Sequence, residues 1–268
     1  DWASTSLGPI ENWSQTLRTL VDLALGAAQP AYVVWGPEHT TLYNDWIIPI
    51  LGTRHPATFG RSFGDVWPEV WDDFQPLIAS TMAGNAHHVL NQPMPLTGRQ
   101  GRPMSWFTYS WTPVRDETGK VAGFYCAATE TTEQVLAEES RLRLAVDVAE
   151  LGTWSWNLDT GEGEIDERAA EIAGLPAGQA SDLWATQLAC AHPDDHGALQ
   201  AAMTRGLAGK GSFNLDYRVI KPDESVGHVA ARARVFTDDN GHSAQLIGTI
   251  RDDTEEREAE AKLRAARD

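Results

Sequence analysis

The strongest constraint on what this chain can fold into is that part of it occurs twice. Asp116 to Val135, DETGKVAGFYCAATETTEQV, reads as a polar turn, a strand of apolar and small residues, and a helix start. Asp238 to Arg257, DDNGHSAQLIGTIRDDTEER, repeats that order 122 positions later, with Gly119 answered by Gly241, Glu130 by Asp252, Thr132 by Thr254 and Glu133 by Glu255. The offset holds elsewhere. Tyr43-Asn-Asp followed by Ile48, Ile50, Leu51 and Gly52 is matched by Ile165-Asp-Glu followed by Ala170, Ile172, Ala173 and Gly174. An internal repeat of this kind decides the architecture before any single element does. The pattern predicts two copies of one domain.

Length agrees, since 268 residues suit two domains of roughly 100 to 150 residues each. A hydrophobic fraction of 42% with 11 tryptophans says globular. The net charge of −17 disfavours nucleic acid and anionic membrane as partners, because binding polyphosphate needs Lys and Arg to neutralise it. Cys126 and Cys190 cannot build a disulfide framework and lack zinc-site spacing, which fits a reducing, cytoplasmic compartment. No apolar run of about 18 residues predicts a membrane span. The chain starts at Asp1 in mid-pattern and stops at Asp268 in mid-helix, so a piece of a longer protein is expected.

Within the first copy, residues 1–28 read as a loop and a capping helix with Trp13, Leu17, Leu20, Val21 and Leu25 on one face. Residues 29–131 read as two strands (Ala31 to Trp35, Thr40 to Tyr43), short helices, and three strands (Val89 to Leu96, Met104 to Val114, Val121 to Thr129). Thr131 and Gln134 have capping-box spacing for the next helix. That helix, 132–151, carries Val135, Leu142, Val146 and Ala149 at alternating four- and three-residue spacing and joins the copies. The second copy, 152–253, repeats the plan, and a last helix, 254–268, leaves it with Ala259, Leu263 and Ala266 at similar spacing. Each copy is expected to be α+β, a five-stranded antiparallel sheet with helices on one face.

These residues carry a family resemblance. His192-Pro-Asp-Asp, Asp216-Tyr-Arg-Val-Ile-Lys-Pro-Asp and Gly248-Thr-Ile-Arg-Asp-Asp-Thr-Glu-Glu-Arg are similar to the helix start, fourth-strand motif and terminal Asp-x-Thr motif of PAS domains. The first copy resembles N-terminal PAS domains of bacterial sensor histidine kinases through Leu7-Gly-Pro, Trp13, Tyr43-Asn-Asp, Val66-Trp-Pro-Glu and Thr129-Glu-Thr-Thr-Glu. One departure stands in the second copy, where Asp223-Glu-Ser-Val-Gly-His replaces the family's Asp-Gly-Ser-x-Arg-Trp, so the turn loses its glycine and the strand its Trp. The resemblance implies a sensory module of a two-component system, in which a signal alters the outgoing helix and thereby a downstream histidine kinase. Glu130, Thr132, Asp252 and Thr254 are then the signal-exit residues.

No nucleophile elbow, phosphate loop, HExxH or complete G-x-G-x-x-G occurs, so catalysis within these residues is not expected. Trp35, Tyr43, Trp67, Trp106, Tyr109 and Trp111 are candidate walls of a small-molecule pocket in the first copy, with Trp154 and Trp156 in the second. Arg218 and Arg232 are candidates for an anion or for pairing with acids. His87 and His88 are the haem-ligand candidates that the resemblance offers, in a helical region, against a plain polar helix end. His192 and His196, at i and i+4, lack a third metal ligand and fit a helix cap. No cofactor is favoured. A homodimer through helices 132–151 and 254–268 is expected. The alternatives are a ligand-free dimerisation module and a haem or flavin redox sensor.

Overall fold

The structure is a computed structural model, and it describes residues 2, 5–99, 101–175, 178–180, 182–209, 212–237 and 243–267. The chain divides into two compact units, Asp1–Ser140 and Arg141–Asp268.

The first unit runs α1 (Gln15–Gly26), β1 (Ala31–Trp35), β2 (Thr40–Tyr43), α2 (Ile48–Leu51), α3 (Phe63–Val66), α4 (Trp71–Met82), β3 (His87–Pro95), β4 (Met104–Arg115) and β5 (Val121–Glu130), and α5 (Thr132–Val148) begins from it. Its five strands form one antiparallel sheet in the order β2-β1-β5-β4-β3. The two-residue period of β1 sorts its side chains between two cores. Tyr32 and Val34 join Phe63, Phe74, Trp111, Phe124 and Cys126 on the inner face, under α2 to α4. Ala31 and Val33 meet Leu17, Leu20 and Ala24 of α1 on the outer face. Helices α2 to α4 thus share one face, as the pattern predicts, while α1 covers the other. Ser14 starts α1 by accepting the Leu17 N–H at 3.1 Å.

The second unit runs β6 (Gly152–Asn157), β7 (Gly163–Ile165), α6 (Glu167–Ala173), β8 (Gly178–Ala180), α7 (Leu183–Cys190), α8 (His196–Gly209), β9 (Ser212–Ile220), β10 (Val226–Thr237), β11 (Ser243–Asp252) and α9 (Thr254–Ala265). Five of its strands reproduce the first sheet, and β8 adds a sixth at the edge beside β7. Three residues are too few for a strand period and eight make only about two helical turns, which is why neither β8 nor α7 shows in the sequence pattern. The turn expected around Gly241 lies outside the described residues.

The repeat extends to hydrogen bonds. Asn44 Oδ1 accepts the Ala31 N–H at 3.2 Å, and 122 positions later Asp166 Oδ2 accepts the Thr153 N–H at 2.7 Å. Asp166 also caps α6 by accepting from Ala169 N at 2.7 Å. Gly152 is required here, because a Cβ at that position would lie 2.3 Å from the Ala169 Cα.

Helix α5 ends at Val148, and Glu150, with φ of +54°, turns the chain out of it. Its large apolar side chains are open to solvent within the chain: Leu142 is 60% exposed and Val148 75%, as is Leu263 of α9 at 64%. No helix among the described residues is long and apolar enough to cross a membrane.

Candidate functional site

Two kinds of site emerge, one inside each sheet and one where each sheet gives rise to its outgoing helix.

The inner face of the first unit encloses a cavity of about 30 Å3 lined by Tyr32, Ile47, Trp67, Phe74, Phe107, Tyr109 and Cys126 among others. Every lining side chain is neutral. Burial pushes the Cys126 thiol up to about 12 and raises the Tyr32 and Tyr109 hydroxyls well above their ordinary value. The Trp111 indole N–H donates to Tyr32 Oη at 3.0 Å behind this wall. The second unit has a cavity of about 20 Å3 lined by Trp154, Trp156, Trp184, Gln187, Phe213 and Tyr217 among others. There Trp156 and Trp184 stack at 6.1 Å with rings 8° from parallel, and the Gln187 side chain donates to Tyr217 Oη. A water needs roughly 10–15 Å3 of such space, so as they stand the first cavity accommodates two or three waters and the second one or two.

Of the candidate pocket residues, Trp67, Tyr109, Trp154 and Trp156 line these cavities. Trp111 and Tyr43 lie in the inner core without lining them, Tyr43 spending its hydroxyl on Thr58 Oγ1 and His55 Nδ1, both at 3.2 Å. Trp35 packs on the outer face. In β4 the buried positions are Ser105, Phe107, Tyr109 and Trp111, so alternation turns Trp106 outward and brings Phe107 in. Phe107, Tyr32 and Cys126 in the first unit, and Trp184 and Tyr217 in the second, are among the wall residues that sequence reasoning missed. Strict alternation through β4 would have found the first.

The histidines differ from the helical placement expected of them. His87 and His88 lie in β3, because α4 has already closed near Gly84 and the chain then pairs with β4. His87 Nε2 meets Ser80 Oγ at 3.0 Å and His88 Nδ1 meets Ser110 Oγ at 2.8 Å, and neither lines the cavity. His192 Nδ1 accepts the Asp194 N–H at 3.3 Å as a cap. Arg218 grips Asp195 through Nε and Nη2 at 3.0 and 2.8 Å, which joins the His192-Pro-Asp-Asp turn to β9. Arg232 and Arg257 both hold Asp216, at 3.0 and 2.8 Å. Among the described residues no group of three or more His, Cys, Asp or Glu could hold a metal ion.

The exit residues form the same clamp twice. In the first unit Thr132 Oγ1 accepts the Trp106 N–H at 3.0 Å and donates to Glu130 Oε1 at 2.9 Å, and Arg99 Nη1 donates to that same oxygen at 2.9 Å. In the second, Thr254 Oγ1 accepts the His228 N–H at 2.8 Å and donates to Asp252 Oδ1, while Lys221 Nζ reaches Asp252 Oδ2 at 3.1 Å. Burial pushes both carboxyls up, but hydrogen bonds to Arg99 and Thr132 for Glu130, and to Thr254 and Lys221 for Asp252, outweigh it and leave both below the ordinary carboxylate range. Arg99 and Lys221 were not anticipated, yet they stand at the same 122-residue offset as the rest. One expectation is corrected. Thr131 and Gln134 make no capping box: Gln134 is exposed, and the Thr131 hydroxyl is buried with no hydrogen-bond partner, because the Thr131 N–H donates to Trp106 O at 2.8 Å and seats the residue against β4.

In each unit, then, the same five antiparallel strands flank a small core cavity and are clamped to an outgoing helix. Two family models, each described as "PAS fold", match residues 44–136 and 164–250. The chain belongs to the PAS family and carries two PAS-fold domains in tandem. No curated protein sequence matches it. Among solved structures, a sensory box histidine kinase/response regulator from Burkholderia thailandensis E264 is 26% identical, covers 47% of this chain and 95% of that one, and has a TM-score of 0.41. The N-terminal domain of a diguanylate cyclase with PAS/PAC sensor from Marinobacter aquaeolei is 21% identical, with 40% and 98% covered and a TM-score of 0.36. An RNA-binding light-oxygen-voltage receptor is 11% identical, with 90% and 97% covered and a TM-score of 0.35.

Proposed function

We propose that this chain is the sensory input module of a bacterial two-component signalling protein, acting in the cytoplasm as a homodimer and passing its signal through α5 and α9 to a histidine kinase. A small neutral molecule in the first domain's cavity is the signal, and the catalytic step belongs to the effector. The observation that carries this reading is the duplicated clamp. It joins a hairpin residue (Arg99 or Lys221), the backbone of the following strand (Trp106 or His228) and the first residue of the outgoing helix (Thr132 or Thr254) through one carboxylate. A shift of the sheet around a filled cavity must then move the helix start.

Dimerisation through the helices is supported by a contrast between the copies. In the first unit Leu17, Leu20 and Ala24 of α1 lie on Ala31, Val33 and Leu42. The residues 122 positions on are Glu139, Leu142 and Val146 in α5, and Thr153, Ser155 and Glu164 in the sheet. The helix keeps apolar residues while the sheet loses them, so a second copy of the helix is the better cover.

Autophosphorylation of the full-length protein tests the coupling. Thr132→Val and Thr254→Val should each change its rate or its response to signal, and unchanged autophosphorylation in both folded variants rules the reading out. A second reading, a dimerisation module without ligand, is favoured by the small cavities. A Soret or flavin band in the absorption spectrum would displace both in favour of a redox sensor. Sedimentation of Leu142→Glu with Leu263→Glu should show the mass of a monomer.

A further inference from the structure

On the outer face of the first domain, away from the cavity inside the sheet, lies a larger apolar cavity of about 160 Å3. Its walls come from three places: Trp2 and Trp13 in the N-terminal segment, Val21 and Leu25 on α1, and Leu42 and Phe59 from β2 and the loop beyond it. The walls are aromatic edges and aliphatic side chains. Trp2 stands edge-on to Trp13 at 5.3 Å and to Phe59 at 5.5 Å. The indole N–H of Trp13 is already spent on Gly8 O at 3.0 Å.

A charged or strongly polar guest would therefore leave its water without compensation, whereas an apolar one would not. Space of about 150 Å3 lined by apolar side chains stays dry and takes a molecule the size of benzene. Edge-to-face rings add a preference for an aromatic guest. There is a route in, since Leu25 and Phe59 at the rim are 54% and 37% exposed. We propose that this cavity is a second ligand site, distinct from the one inside the sheet, for a small neutral single-ring aromatic molecule without hydrogen-bonding groups. Its occupancy reaches the inner core through Phe59, which stands edge-on to Tyr43 at 5.0 Å.

Size separates the two sites experimentally, because the inner cavity of about 30 Å3 is too small for a benzene ring. The test is a titration of the protein with toluene, followed by the indole N–H resonances in a 1H–15N spectrum. Saturable movement of the Trp2 and Trp13 resonances is expected. Val21→Phe, which fills the cavity, should weaken binding at least about tenfold. If Val21→Phe fails to fold, Leu25→Phe at the rim serves in its place.

The proposal is overturned if toluene does not bind saturably, if a folded filling variant binds as the parent does, or if benzoate binds as well as toluene. It is also overturned if Phe59→Ala halves the sedimentation mass without toluene present, since the groove would then belong to a second copy of the chain. None of these outcomes depends on whether the clamp transmits a signal.

Discussion

The Thr132 hydroxyl accepts the backbone N–H of Trp106 at 3.0 Å, so the first residue of α5 is fastened to the main chain of β4. Neighbouring Thr131, identical in chemistry, is also buried and makes no side-chain hydrogen bond. The pair separates what the helix start needs from what it merely tolerates.

Thr132→Val should destabilise the first domain by about 1–3 kcal/mol, since it strips a partner from the Trp106 N–H and from Glu130 at once. Thr132→Ser should recover most of the loss. Urea unfolding checks the magnitude, and faster hydrogen exchange at the Trp106 amide checks the mechanism.

Thr131→Val should act in the opposite direction. It removes a buried hydroxyl that has no partner and keeps the shape of the side chain, so a gain of about 1 kcal/mol is expected. The same urea experiment reads it, and a loss of stability would mean that the hydroxyl has a partner in solution.

Hydrogen bonds from Arg218, chiefly, hold the Asp195 carboxyl at about 2, below its ordinary value. A carboxyl lowered in the folded state contributes stability that is complete above its unfolded value and is lost as the pH falls through the folded one. The second domain should therefore weaken between about pH 4 and about pH 2. Arg218→Gln should flatten that dependence and raise the Asp195 titration midpoint, read from its carboxyl 13C shift.

Glu224 occupies the turn position where the resemblance led one to expect glycine, and it does so with φ of +66°. Left-handed backbone costs a non-glycine residue about 1–2 kcal/mol, of which the greater freedom of unfolded glycine returns roughly 0.5–1. Glu224→Gly should thus stabilise the second domain by about 0.5–1 kcal/mol, visible as a higher urea midpoint.

Much of this fold is legible in the sequence because the repeat checks each strand against its counterpart. The last three strands of each copy, the short helix before Gly52 or Gly174, and the exit motif can all be read that way. What escapes is set by geometry that letters do not carry. Trp106 looks like a pocket wall until the alternation of β4 turns it outward. The clamp falls on Thr132 and not Thr131 because only one of the two hydroxyls reaches the Trp106 amide. Arg99 and Lys221 sit in turns whose composition says only that they are polar, and Trp184 sits in a helix too short to show a period. Their roles appear once the carboxylate or ring that each one meets is in place.

The outer rows of the two sheets differ in one further respect. In the first domain the row beside β4 is β3, with Pro93 and Pro95 in its length and an irregularity between Val89 and Gln92 where Asn91 has a φ of +48°. Proline has no N–H to offer, so a foreign strand laid along β3 would find gaps in its ladder. The corresponding row of the second domain, β9, has no proline and is guarded instead by Asp216 and Arg218. The first domain thus resists lengthening by an added strand through its backbone, and the second through its charges.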